Sequence, residues 1–226
     1  MSHLINIFLE PGKVFADLRE KPTFVVPFVM VLLASMAMSF MYFMKVDSSW
    51  FIDHMLMAGG KEISAAELAQ AKSIMPGAKM MGYISLVSTP IVMAIIVTVM
   101  SLYYLLAGKI SGSAIGFKHA LSLTCWSSMP MVLGAIVGLV GVIMMSPQTG
   151  IESLMLTHID PLIVQLQVES PWKKLATTFD LLSIWSYFLV ALGWKTWGKT
   201  SWAEAVAVAI IPSALIYGVW AVWILI

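Results

Sequence analysis

The sequence predicts an all-α polytopic membrane protein: five transmembrane helices preceded by an N-terminal amphipathic helix lying in the membrane interface. Three observations lead there. Hydrophobic residues make up 60% of the 226 positions and charged residues only 11%, against roughly 25% charge in a soluble domain. Two blocks, 82–107 and 120–145, carry no charge at all. At about 1.5 Å of rise per residue, each crosses the roughly 30 Å hydrocarbon layer as a helix. The bend between them holds Lys109 and Lys118 and no acid. Their apolar character is continuous rather than alternating, which excludes barrel strands, and lipid tolerates no open backbone. The two blocks therefore read as a transmembrane hairpin around which the remaining elements are arranged.

Residues 2–21 are amphipathic. Leu4, Ile5, Phe8 and Leu9 share one helical face, and after Pro11–Gly12 so do Val14, Phe15 and Leu18. Short, aromatic and of mixed charge, this segment suits the membrane surface. Glu10, Lys13, Asp17, Arg19, Glu20 and Lys21 precede any long apolar core, so no cleavable leader is expected. Span one covers about 23–44, with Pro22 and Pro27 in its first turns, where a missing amide donor costs little. The loop 45–79 contains a capping box, Ser64 to Glu67, opening a short helix that ends at Pro76–Gly77. Trp50 and Phe51 suit an interfacial aromatic belt.

Span two, 82–107, and span three, 119–145, are the hairpin. Pro90 and Pro130 interrupt them, with Ser85, Ser88, Thr89, Ser127 and Ser128 placed to bond the freed carbonyls. Gly134-x-x-x-Gly138 permits close helix approach. Residues 146–172 alternate apolar and polar side chains, as in a surface helix. Span four covers about 175–194, a bend with Lys195 and Lys199 follows, and span five covers 204–226. A weak internal repeat pairs Leu106-Ala107-Gly108-Lys109, Ala120 and Pro130 with Leu192-Gly193-Trp194-Lys195, Ala205 and Pro212. Duplication and convergent hairpin chemistry both account for it.

The stretch Asn6-Ile7-Phe8-Leu9-Glu10-Pro11-Gly12-Lys13-Val14-Phe15, followed by Lys21-Pro22 and Pro27, resembles the opening of the Yip1 domain family. Phe8, Pro11 and Phe15 match its aromatic–proline–aromatic spacing, and Pro22 its proline before the first span. The resemblance extends along the whole chain through span number and length. It implies a non-enzymatic role in membrane organisation or protein interaction. In eukaryotic relatives that role is linked to Golgi and endoplasmic reticulum trafficking and to Rab-type GTPases. Here only about 21 residues precede span one, a departure that fits a bacterial member in the cytoplasmic (inner) membrane and does not carry over GTPase binding.

Five spans place the termini on opposite sides. The short bends 108–118 and 195–203 hold four lysines, Lys109, Lys118, Lys195 and Lys199, and no acid. Short loops weigh most in orientation, so the amino terminus is expected in the cytoplasm and the carboxyl terminus outside. Asp180, inside span four, is the foremost candidate site, because an acid at membrane depth is costly. Thr177, Ser183 and Ser186 lie near its face, and Ser85, Ser88 and Thr89 at similar depth. Together they form a candidate outward-facing polar pocket for a proton, a cation or a lipid headgroup, and the alternative function is a small transporter or channel. Equally, Asp180 is interfacial and paired with Lys173, Lys174 or Lys79. On the inner side, Lys118, His119 and Glu204 start spans three and five as a capping and ion-pair cluster, or a patch for a partner or anionic lipid.

A net charge of +1 excludes a nucleic-acid footprint. The single Cys125 forms no internal disulfide, and the 18 methionines read as packing filler. No catalytic pair, metal motif or cofactor loop is present. Expected partners are membrane lipid and a second copy or another membrane protein.

Overall fold

The computed structural model of the chain describes residues 2–57, 65–113, 115–167 and 170–226, and its named elements are helices. They fall into two compact units, one built from 1–33, 90–133 and 182–226, the other from 34–89 and 134–181. Three helices, α3 (Val25–Lys45), α6 (Ala78–Ile110) and α8 (Pro130–Met144), contribute residues to both.

In the first unit, α1 (Ser2–Leu9) and α2 (Pro11–Glu20) are separate helices. Pro11 opens α2, where its fixed φ suits the first turn and its missing N–H is no loss. The interfacial helix expected over 2–21 is thus a pair, and its apolar stripe turns inward. Ile7, Val14, Phe15 and Leu18 are buried, packed with Leu123 and Trp126 of α7 (Phe117–Ser127) and with Leu189, Trp194 and Trp197 of α11 (Leu182–Gly198). Protein rather than lipid covers that face, while Ile5 and Leu9 stay exposed. Trp126 Nε1 donates to the Thr23 carbonyl at 2.8 Å and ties α7 to the start of span one. Ala205 and Ala209, one turn apart on α12 (Trp202–Leu225), are buried in the same core, small enough for close packing on α11.

Prolines mark the breaks. Between α7 and α8 the helix opens at Ser128–Met129, because Pro130 disfavours helical geometry in the residue before it. The carbonyl that Pro130 frees, on Trp126, accepts the Met129 N–H at 3.3 Å rather than a serine hydroxyl; Ser128 Oγ donates to the Cys125 carbonyl at 2.8 Å, and Ser127 Oγ is buried without a hydrogen-bond partner. Pro212 lies inside α12, which continues through it. The carbonyl it frees, on Val208, accepts the Tyr103 hydroxyl of α6 at 2.9 Å.

In the second unit a core of Met38, Tyr42, Phe51, Ile52, Val142 and Leu154 joins α3, α4 (Ser48–Met57) and α8. Lys45 Nζ donates to the carbonyls of Val142 and Ile143 at 3.0 and 2.6 Å, satisfying the C-terminal end of α8. Asp47 caps α4, accepting from the Trp50 N–H at 2.8 Å and from Ser49 Oγ at 2.7 Å. These bonds hold its carboxyl below the usual aspartate range. Gly138 approaches Met38 so closely that a methyl in its place would lie 3.0 Å from Met38 Cε, which gives the expected close helix approach on this side of the Gly134-x-x-x-Gly138 pair. Helix α5 (Ala65–Ile74) precedes Pro76–Gly77, and the start of its expected capping box, Ser64, lies outside the described residues.

The segment 146–172 is not the single surface helix its alternation suggests. It holds a 3-10 turn (Ile151–Leu154) and a four-residue turn, α9 (Ile159–Leu162), before α10 (Lys173–Thr178). The Ile159 N–H bonds the Phe179 carbonyl at 3.0 Å and the Leu181 N–H bonds the Thr157 carbonyl at 2.8 Å, pairing His158 with Asp180 as an antiparallel bridge. That bridge lies between α10 and α11, so the helix expected over 175–194 is split in two.

Four stretches among the described residues are long and apolar enough to cross a membrane: Val25–Lys45, Ala78–Ile110, Phe117–Met144 and Trp202–Leu225. Helix α11 has 17 residues, about 25 Å by helical rise. The exposed apolar side chains on α6, Ile84, Val87, Ile91, Ile95, Val99 and Leu102, are those that lipid must cover.

Candidate functional site

The first unit gathers the amino-terminal helices and both short basic bends. Phe15, fully buried, accepts the Trp197 indole N–H on its carbonyl at 2.6 Å, and the two rings meet edge to face at 6.0 Å. His119 Nε2 lies 3.1 Å from the Arg19 carbonyl, and its ring stands edge-on to Trp197 at 5.7 Å. A methyl on Gly198 would lie 2.8 Å from Ser113 Oγ, so the bend after α11 rests on the bend before α7. Lys195 Nζ sits 5.4 Å over the Trp202 ring, a cation–π contact worth about 0.5–1 kcal/mol where exposed. Of the family-motif residues, Pro11 opens α2, Phe15 is the anchor, Phe8 packs against the core and Pro22 is half-buried before span one. Arg19, Lys21, Lys109, Lys118 and Lys199 stay exposed.

The expected inner-face cluster is only partly assembled. His119 joins α2 and α11 as described. The Glu204 N–H donates to its cap, Ser201 Oγ, at 3.2 Å, while its Oε1 is buried without a hydrogen-bond partner. Among the described residues no hydrogen bond or ion pair joins Glu204 to Lys118 or His119.

The second unit places Asp180 outside any helix, in the link before α11. Its carboxylate lies 3.7 Å from His158 Nε2. His158 Nδ1 bonds the Thr177 carbonyl, and Thr177 Oγ1 donates to the Lys173 carbonyl at 2.5 Å. Asp180 and Thr177 are thus brought together around His158. Ser183 falls in the first unit, its hydroxyl buried without a partner. Ser85 turns its hydroxyl back onto its own helix, to the Gly82 carbonyl at 2.7 Å.

The sequence gives no warning of Asp160. It is the one charged side chain fully buried among the described residues, and Lys173 Nζ pairs with it. The same carboxylate accepts the Leu166 N–H at 2.6 Å, and Lys173 also donates to the Leu166 carbonyl at 2.9 Å. A second pair, His54 Nε2 to Glu152 Oε1 at 2.6 Å, crosses from α4 to the 3-10 turn, with Trp50 stacked on the histidine at 4.6 Å. Both pairs link residues distant in the chain, and no local spacing announces them.

No curated protein and no solved structure matches the chain significantly. The family model of the Yip1 domain matches residues 5–223, a range that takes in the Phe8–Pro11–Phe15 motif, three of the four long apolar helices whole and the fourth up to its last two residues. By that match and by the helical, multi-pass architecture that accompanies it, the chain belongs to the Yip1 domain family.

Proposed function

We propose that the protein is a non-enzymatic membrane organiser of the bacterial cytoplasmic membrane, with five crossings, a cytoplasmic amino terminus and an external carboxyl terminus. Its role is membrane organisation or the binding of other membrane proteins. The observation that carries this reading is the convergence of α1, α2 and the two acid-free lysine bends in one unit. For the bend 195–203 to rest on the bend 108–118, the chain has to return through α11 after leaving through α7 and α8. On this reading α11 is a fifth crossing beside the four long spans and the short basic segments share one face, which the positive-inside bias assigns to the cytoplasm. Helices α1 and α2 then lie on that face, with Ile5 and Leu9 free to touch the interface. Nothing in the Asp180–His158 geometry favours the carrier alternative.

The test is a pair of carboxyl-terminal fusions on the full chain, one to a reporter fluorescent only in the cytoplasm and one to a phosphatase active only outside it. The reading expects phosphatase activity without fluorescence. Fluorescence at the carboxyl terminus removes the proposed orientation, and together with a cytoplasmic amino terminus, read by the same reporter fused there, it means an even number of crossings and removes the fifth span.

A further inference from the structure

Two concavities in the second unit meet at Lys45, the last residue of α3. One, of about 410 Å³, lies just beyond the span and carries the charged side chains Lys45, Asp47 and Lys79 beside Ser48 and the apolar Val46 and Met80. The other, of about 420 Å³, lies on the span itself and is apolar apart from Lys45, lined by Phe40, Met41, Met44, Val142 and Ile143. A charged pocket at the edge of the hydrocarbon layer, continuous with an apolar groove inside it, repeats the division of a phospholipid into headgroup and chain.

The charges select the headgroup. Lys45 and Lys79 bring two positive charges and Asp47 one negative. The Asp47 carboxylate is taken up by the Trp50 N–H and Ser49 Oγ at the start of α4. The formal sum is +1 (two minus one), the complement of a singly charged phosphodiester. The Lys45 ammonium is fixed at the border by the Val142 and Ile143 carbonyls, which use two of its three donors and leave one. In the first turn of α6 the Ala78 N–H is taken by Ser48 Oγ at 2.9 Å. The amides of Lys79 and Met80, among the first four of the helix, have no acceptor within it and add partial positive charge. A zwitterionic headgroup would bring its own cation against Lys79.

We propose that this paired concavity binds an anionic glycerophospholipid of the surrounding leaflet, with its phosphodiester against Lys45 and Lys79 and one acyl chain along Met41, Met44 and Ile143. The assignment requires that α3 and α6 cross the bilayer. It does not depend on which side carries the termini. Lys79 is exposed and supplies charge without a described structural bond, so it separates binding from folding. Lys45 does both tasks.

The experiment is native mass spectrometry of the full chain, extracted from membranes in mild detergent and mixed with phosphatidylglycerol or phosphatidylcholine of matched chains. Phosphatidylglycerol is expected to be retained in excess. Lys79→Gln should lower its retention about fivefold, the equivalent of roughly 1 kcal/mol per lysine at an anionic surface, and leave phosphatidylcholine unchanged. Met41→Trp, which fills the groove, should lower both. Equal retention of the two lipids, or unchanged phosphatidylglycerol on Lys79→Gln, overturns the proposal. So does full displacement by a few millimolar inorganic phosphate, which would make this a free-phosphate site. A chain absent from the membrane extract would instead remove the membrane reading, so the two failures are distinct.

Discussion

Replacing Gly193 by alanine tests the packing of the amino-terminal helices. Gly193 lies on α11 where it faces α2 and α7. A Cβ there would sit 2.5 Å from Leu123 Cδ1 and 2.9 Å from both Cδ1 and Cε1 of Phe15. Leu123 and Phe15 are each 0% exposed, so neither side chain has free space to retreat into. Forcing an extra methyl into such a site costs about 1–3 kcal/mol. Alanine in place of glycine in a helix interior returns about 1 kcal/mol, leaving a net loss on the order of 1 kcal/mol. Gly218 on α12 supplies the control, since nothing lies within 4 Å of the position a Cβ would take. Gly218→Ala keeps the propensity gain without a packing cost and should stabilise by up to about 1 kcal/mol. The assay is reversible unfolding of each variant in mixed micelles against rising denaturing detergent. Opposite shifts, with Gly193→Ala below wild type and Gly218→Ala at or above it, are expected. If Gly193→Ala is as stable as Gly218→Ala, the described contact of α11 with Phe15 and Leu123 is wrong.

Three further perturbations follow from the same geometry. Trp197→Phe keeps the ring and removes the indole N–H that bonds the Phe15 carbonyl at 2.6 Å; it should cost about 1–3 kcal/mol, read as faster proteolysis within residues 2–21. Lys173→Gln leaves the fully buried Asp160 without its cation, a loss of about 3–5 kcal/mol by analogy with broken buried pairs; earlier proteolytic nicking of 155–172 than in wild type is the readout, and equal rates would contradict the pairing. Asp47 has a carboxyl held below its usual range by the Trp50 N–H and Ser49. Its contribution is therefore present above about pH 4, the unfolded value, and fades as pH falls through the lower folded value. Between pH 6 and pH 3 the wild type should lose more stability than Asp47→Asn, measured by the same micelle unfolding, and parallel curves would count against the cap.

Local rules account for much of the architecture. The uncharged runs over 82–107 and 120–145 became α6 and the α7–α8 pair because lipid admits only backbone that satisfies itself, and because apolar length is counted along one strand of sequence. Pro11 opening α2, Pro130 breaking the helix and Ser201 capping α12 are likewise rules between near neighbours. The amphipathic stripe of 2–21 was legible as well, but its periodicity states only that one face is buried. It is equally consistent with lipid and with α11, and the partner chosen, Trp197, lies about 180 residues away.

Asp180 shows the same division. Hydropathy counted it into a span, since Leu175 to Trp194 is largely apolar. Hydrogen bonds joining Thr157 and Ile159 to Leu181 and Phe179 interrupt the helix there, so α11 begins at Leu182 and Asp180 faces His158. Asp160 with Lys173, Glu152 with His54 and Tyr103 with the carbonyl freed by Pro212 were invisible for the same reason: each joins residues with no shared local period. By itself, then, the sequence determined the membrane class, the long helices, the basic bends and the family, all properties of contiguous residues in a solvent that forbids unpaired backbone. Only the tertiary structure decided which face of α1 and α2 is covered by protein, where the helix before Asp180 stops, and which distant side chains neutralise the buried charge, because those outcomes depend on partners that chain order does not encode.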